Sequence, residues 1–171
     1  MRSDNAPDCI DTSPLSGQVA LGTDILNSVI NSKPTAPDPD VHSIYLSTAH
    51  RPSWMSGELV SARTYQGGIV RVVITTRGRV VQKRVEEELA AKYGSVYLSR
   101  EATITPDSGN EFKVRNLEWS LPGIHVQYQV LEPDEDGRVN IDGPGFVRIE
   151  TDSAYQRRMA EEKKVQQKRV L

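Results

Sequence analysis

Apolar and polar residues alternate along this chain with two different periods, and the points where one period gives way to the other mark its elements. Between Leu21 and Pro34, "LGTDILNSVINSKP" sets Ile25, Leu26, Val29 and Ile30 on one helical face, with Thr23 as N-cap and Pro34 as the stop. Pro34, Pro37 and Pro39 then rule out a sheet centre and predict a connector. Three strands follow, "VHSIYLS", "GELVSARTY" and "GIVRVVITT", the last two joined as a hairpin through Gln66, Gly67 and Gly68. The third is apolar on both parities, Val70, Val72 and Ile74 against Ile69 and Val73, which predicts a central position in the sheet.

Gly78 ends that run, and "RVVQKRVEEELAAKYG" changes to the helical period. Val81, Val85, Leu89 and Tyr93 recur every four residues to face a core, and Gly94 closes the helix. "REATITPDSGN" reads as a polar loop, after which strands are predicted in "EFKVRNLEWS", "GIHVQYQVL" and "RVNIDGPGFVRIET". In the first of these Phe112 and Val114 share one parity and Leu117 and Trp119 the other, so a bulge is expected near Asn116. From Ser153 onward the chain is helical by propensity, with Tyr155, Met159 and Val170 as a thin apolar line, and this helix is expected to extend past the domain body.

The order is therefore helix, three strands, helix, three strands, helix. It predicts an α+β fold with a mainly antiparallel sheet, helices on one face, a recurring helix-three-strand pattern and a C-terminal helix. Residues 1–18 read as a flexible lead-in, 19–152 as a single α+β domain and 153–171 as a basic C-terminal helix. A length of 171 residues suits one core rather than two.

Charge narrows the function classes. Twenty-one Lys and Arg against 23 Asp and Glu give a net charge of -2, so no global field favours nucleic acid or an anionic membrane. The balance is locally uneven, because "SAYQRRMAEEKKVQQKRVL" carries six basic residues and two acidic ones. The single cysteine, Cys9, leaves no intrachain disulfide and no thiolate metal cluster. No apolar run reaches the roughly 18 residues of a membrane span, and the first residues lack a signal-peptide core. Cytoplasm stays open as a compartment, as does periplasm or secretion if an upstream signal has been removed.

One stretch imitates a calcium loop. "EPDEDGRVNIDGPG", Glu132 to Gly145, places Asp134, Asp136, Gly137 and Asn140 at fitting positions, but Glu132 is too long for the first and Gly143 offers no ligand at the twelfth. The flanks alternate as strands, so the loop is read as a reversal between strands, with Asp bonding its own backbone and Gly accepting positive φ. No metal and no cofactor is expected.

The remaining candidates are weighed against plainer roles. His42 and His50 lie about 26 Å apart along an extended strand, too far to share a metal unless the chain turns. His125 alternates with Ile124, Val126, Tyr128 and Val130 and shares its face with Gln127 and Gln129. Glu86, Glu87 and Glu88, with Lys83, Arg84 and Lys92 one turn away, read as a solvated charged face. Arg77 and Arg79 flank Gly78 at a helix start, where amide groups and the dipole favour an anion; the plainer reading is a surface turn. If both main helices cover one sheet face, the other is left for water or a partner, and Arg63, Tyr65, Arg71, His125, Gln127, Gln129 and Arg148 are its candidates. Trp54, in the loop "HRPSWMSG", belongs either to the core edge or to that contact surface.

The succession "LGTDILNSVI", "AAKYGS", "LEWSLPG", "HVQYQV" and "VRIETDSAY" resembles, in element order, small exported bacterial proteins built from helix-plus-antiparallel-sheet units, such as β-lactamase-inhibitor-like modules. That resemblance implies a non-enzymatic envelope or secreted module that binds another protein. The expected function is protein binding, inhibitor- or immunity-like, through Trp54, Arg63, Tyr65, Arg71, His125, Gln127 and Arg148. The alternative is anion or nucleic-acid binding through Arg77, Arg79 and the basic C-terminal helix; a hydrolase comes third.

Overall fold

Alternation in the strands and a four-residue apolar repeat in one helix build a seven-stranded sheet around a single apolar layer. The computed structural model describes residues 10–11, 20–21, 41–45, 51–65, 68–95, 97–106 and 109–169. The expected N-terminal helix, the proline connector, Cys9 and His50 lie outside these residues.

In chain order the elements are β1 (Ile10–Asp11), β2 (Ala20–Leu21), β3 (Val41–Tyr45), β4 (Leu59–Tyr65), β5 (Gly68–Thr76), a 3-10 turn (Gly78–Val81), α1 (Gln82–Tyr93), β6 (Leu98–Ile104), β7 (Phe112–Leu121), β8 (Ile124–Gln129), β9 (Gly145–Thr151) and α2 (Asp152–Arg169). β1 and β2 pair with each other as a separate two-stranded sheet. The main sheet runs β3-β4-β5-β9-β8-β7-β6 and every neighbouring pair is antiparallel. The fold is thus α+β with a mainly antiparallel sheet and a C-terminal helix. No helix among the described residues is long and apolar enough to cross a membrane.

The side-chain period of two gives this sheet two unlike faces. On the first, the register aligns Ala62, Val72, Ile149, Val126 and Trp119 in one row across five strands, and all five are buried. α1 covers this face with Val85, Leu89 and Tyr93, the residues its four-residue repeat singles out. Trp119 fixes the end of α1: its indole donates to the Gly94 carbonyl at 2.8 Å and its ring meets Tyr93 and Tyr97 at centroid distances of 6.2 and 5.0 Å.

Several details depart from the expected pattern. Residues 100–104, the first part of the stretch read as a polar loop, belong instead to the edge strand β6, which pairs with β7 from Phe112 to Glu118. The β6–β7 register runs unbroken across Asn116, so the expected bulge is not there; Asn116 instead uses its side-chain carbonyl to accept the Val130 N–H at 3.1 Å, just where β8 leaves the ladder. A register shift does occur between Arg63 and Thr64, in the β4–β5 hairpin. The two helices do not share a face. α1 lies over the apolar side, whereas α2 lies over the side that carries Arg71, His125 and Glu150. Its attachment is ionic, so apolar periodicity could not assign it.

The loop between β8 and β9 is a reversal of the expected kind. The Asp134 carboxylate accepts the N–H groups of Asp136 and Arg138 at 3.0 and 2.8 Å, and Asn140 accepts that of Asp142 at 3.0 Å. Among the described residues no group of three or more His, Cys, Asp or Glu is placed to hold a metal ion.

Two glycines let backbones touch. Gly78 has φ +69°, and a Cβ there would sit 2.1 Å from the Gly143 carbonyl oxygen; at Gly145 it would sit 2.2 Å from that of Val130. A Gly78→Ala variant must adopt a left-handed conformation and push the 140–143 loop away, and is expected to lose about 2–4 kcal/mol of unfolding free energy, read as a lower urea midpoint at unchanged slope. The Tyr128 hydroxyl has the opposite prospect. It is buried with no hydrogen-bond partner among the described residues, and burial, then the Glu86 charge, push its pKa far above that of an ordinary phenol. Tyr128→Phe removes an unsatisfied donor without opening a cavity, and is expected to leave stability unchanged or raise it by up to about 1 kcal/mol in the same measurement.

Candidate functional site

The second sheet face is built from the polar positions of the central strands. The register sets Arg63, Arg71, Glu150, His125 and Ser120 in one row across β4, β5, β9, β8 and β7, with Val73, Arg148 and Gln127 in the row beside it. Strand β9 therefore delivers a carboxylate, Glu150, into the middle of its sheet, where it is 1 % exposed.

α2 begins directly after β9 and turns onto this face. Thr151 Oγ1 accepts the Ala154 N–H at 3.3 Å as an N-cap, and Asp152 places a negative charge in the first turn, which suits the helix dipole. The Asp152 carboxylate reaches His125 Nε2 at 2.9 Å, and the Tyr155 ring stacks on the His125 ring at 4.0 Å with 9° between planes. One turn later Arg158 grips Glu150, with Nη2 2.8 Å and Nε 2.9 Å from Oε1. Arg71 donates its Nε to the other oxygen at 2.9 Å. One carboxylate is thus shared by a guanidinium from the sheet and another from the helix, a charge-assisted arrangement. Arg158 also donates to Glu162 at 2.8 Å. Burial opposes its charge, but the hydrogen bonds to Glu150 and Glu162 outweigh it and hold the Arg158 guanidinium above its ordinary pKa. Arg148, one pair along β9, donates to Gln127 at 3.0 Å and lies over the Phe146 ring; burial, and then the Arg158 charge, push it down.

A cavity of about 250 Å³ lies on each flank of α2. One is lined by Arg100, Glu118, His125, Tyr155, Arg158 and Met159. The other is lined by Arg63, Tyr65, Arg71, Arg157, Arg158 and Glu161, with the Arg157 guanidinium 3.9 Å from the centre of the Tyr65 ring. Ser120 Oγ lies 3.3 Å from His125 Nδ1, so Ser120, His125 and Asp152 form a line of hydrogen bonds. Ser120 is exposed on a hairpin, and the effect of the line is to tie β7 and β8 to the start of α2.

Of the residues expected at a contact surface, Arg63, Tyr65, Arg71, His125, Gln127 and Arg148 share this second face. His125 is covered by Tyr155, and Arg71 is half claimed by Glu150. Trp54 is elsewhere: it is 4 % exposed, part of the α1-facing core, and its indole donates to Glu88 at 2.5 Å. Of the two places open to it, the structure takes the core edge. The acidic triplet is not a wholly solvated face either, since Glu88 holds Trp54 and Glu86 holds Arg115 at 2.9 Å, leaving Glu87 with Lys83. Arg77 and Arg79 do not converge. Arg77 donates to the Ser53 carbonyl at 2.5 Å while Arg79 packs over the Phe112 ring at 4.6 Å, and the Gly78 N–H between them is already taken by Thr76 Oγ1 at 3.3 Å.

Of the residues that organise the site, Glu150, Asp152, Arg157 and Arg158 were not singled out by sequence reading, and Tyr155 entered only as part of the thin apolar line of the last helix. The available signal was a carboxylate near the end of a mostly apolar strand, seven and eight residues before Arg157 and Arg158 on the next helix. No family model matches the chain, and comparison with curated proteins and with solved structures gives no match.

Replacing Glu150 by Gln keeps its shape and removes the charge shared by Arg71 and Arg158. Because breaking a buried pair leaves uncompensated charge, Glu150→Gln is expected to cost about 3 kcal/mol of stability. It should also speed amide exchange across 153–162, measured by hydrogen-deuterium exchange, while exchange in α1 changes only with global stability.

Proposed function

We propose that this protein is a non-enzymatic binding module that acts by covering a partner protein, in an inhibitor- or immunity-like manner, through the uncovered part of its second sheet face. The observation that carries the reading is a strip of half-exposed large side chains. Tyr45 and Leu59 sit directly opposite each other on β3 and β4, 52 % and 54 % exposed, and Tyr65 ends the same parity of β4 at 50 %. The alternate residues Val60 and Ala62 are buried, so the strip belongs to a rigid, correctly faced sheet.

The chemistry of the strip suits an interface. Tyr45, Leu59, Arg63 and Tyr65 span about 20 Å along β4, and tyrosine and arginine concentrate binding energy because they bury area while retaining a polar handle. Arg51 lies over the Tyr45 ring and pairs with Glu58, giving the strip a charged rim. The strip alone is smaller than the roughly 800 Å² per side of a stable interface. Residues 160–169 of α2, all exposed, supply further area, with Val165 as an apolar contact.

A tagged full-length chain and its Tyr45→Ala, Tyr65→Ala double variant, used to capture proteins from lysate of the source organism, test the reading. The wild type is expected to retain one stoichiometric protein. The double variant should bind that protein at least about 30-fold more weakly, from two side chains worth more than 1 kcal/mol each, with its unfolding midpoint nearly unchanged. Equal retention by both forms would sink the proposal.

A further inference from the structure

Most charged groups lining the cavity between α2 and the outer strands β7 and β6 are already answered. Arg158 holds both Glu150 and Glu162, and His125 lies between Asp152 and Ser120. Two groups are not. Arg100 of β6 and Glu118 of β7 line the same cavity, and neither has a hydrogen bond or ion pair among the described residues. The register sets Arg100 opposite Asn116 and Leu98 opposite Glu118, so the two charges are diagonal neighbours on one face. Diagonal positions in an antiparallel pair lie about 7–8 Å apart, close enough for a long basic and a long acidic side chain to meet. Here they do not meet. One guanidinium and one carboxylate stand side by side, so the cavity has no net charge to neutralise but two charges of opposite sign to satisfy.

We propose that this cavity binds a free amino acid through its zwitterionic backbone. An α-amino acid carries an ammonium and a carboxylate on one carbon, so it bridges a guanidinium and a carboxylate that do not reach each other. Arg100 takes the α-carboxylate through its planar fork and Glu118 accepts from the ammonium, both as charge-assisted hydrogen bonds. A simple anion would suit Arg100 but face Glu118, and a simple amine would suit Glu118 but face Arg100. Neither satisfies both. The side chain of the ligand is directed toward Tyr155 and Met159 on α2, a wall that favours an apolar group. Stacking of Tyr155 on His125 and the grip of Arg158 on Glu150 hold that wall in place before any ligand arrives. The volume of about 250 Å³ is below that of most drug-sized sites and suits a molecule as small as an amino acid. The site lies across α2 from Tyr65 and needs no protein partner.

Calorimetric titration of the full chain with L-leucine, with N-acetyl-L-leucine, which lacks the ammonium, and with L-leucinamide, which lacks the carboxylate, tests the assignment. Leucine is expected to bind saturably, and each derivative at least about tenfold more weakly. Arg100→Gln should weaken leucine and bring it level with leucinamide, because the carboxylate then has no partner. Glu118→Gln should weaken leucine and bring it level with N-acetyl-leucine. Lys83→Gln, on α1 in the separate depression beside Arg77, should change nothing. Since neither Arg100 nor Glu118 bonds another described residue, both variants should keep the urea midpoint of the wild type, which separates a lost ligand from a lost fold. Absence of saturable heat with leucine up to about 10 mM, a derivative that binds as tightly as leucine, or wild-type binding of leucine by Arg100→Gln or Glu118→Gln would overturn the site. An equal loss in Lys83→Gln would do the same.

Discussion

A single carboxylate, Glu150, anchors the C-terminal helix to the sheet. α2 buries only Ala154, so the hydrophobic effect, which docks α1 through Val85, Leu89 and Tyr93, has little to act on there. The helix is instead attached by Arg158 on Glu150, by Asp152 on His125 and by the stacked Tyr155 ring. Burying a carboxylate costs several kcal/mol of desolvation, and the cost is offset only when its oxygens are fully answered. Here both oxygens are, from two directions. The arrangement confers position more than net stability, because an ion pair tolerates far less displacement than an apolar contact.

That position divides the polar face of the sheet. By crossing the row of Arg71, Glu150 and His125, α2 encloses a cavity on each flank and leaves the outer part of β3 and β4 uncovered. The two faces of one sheet therefore do different work. The α1 side is a close-packed interior in which Trp119 and Tyr128 are buried outright, and the α2 side is a charged layer whose geometry is set by hydrogen bonds.

What could be read from the sequence was whatever depends on local period. The apolar repeat of Val81, Val85, Leu89 and Tyr93 located α1 and its buried face, the two apolar parities of β5 located a strand inside the sheet, and Asp134 with Gly137 marked a turn. β6 escaped because an edge strand has one partner and no obligation to alternate: in "LSREATI" exposed residues fall on both parities, and only pairing with β7 makes it a strand. Trp54 looked like an offered side chain because its loop is polar, yet its partner, Glu88, is 34 residues away. Six of the seven residues expected at a contact surface do share a face, since parity along a strand is a local property. Which helix covers that face is not, because it rests on contacts between elements, Asp152 and Tyr155 of α2 with His125 of β8, that no period along the chain records.

The same network sets Arg71 and Arg158 apart from an ordinary patch of surface charge. A flexible basic side chain on a surface must be ordered when it meets an anion, and that entropy is subtracted from the affinity. Arg71 and Arg158 are ordered already, because each has given part of its guanidinium to Glu150 in the folded state. The planar fork makes this division feasible: a guanidinium can bond a buried carboxylate through Nε and still direct its terminal nitrogens elsewhere, whereas an ammonium offers only a point charge. The carboxylate that fixes α2 thus also fixes the two guanidinium groups beside it, so the attachment of the helix and the order of the charged layer draw on the same three side chains.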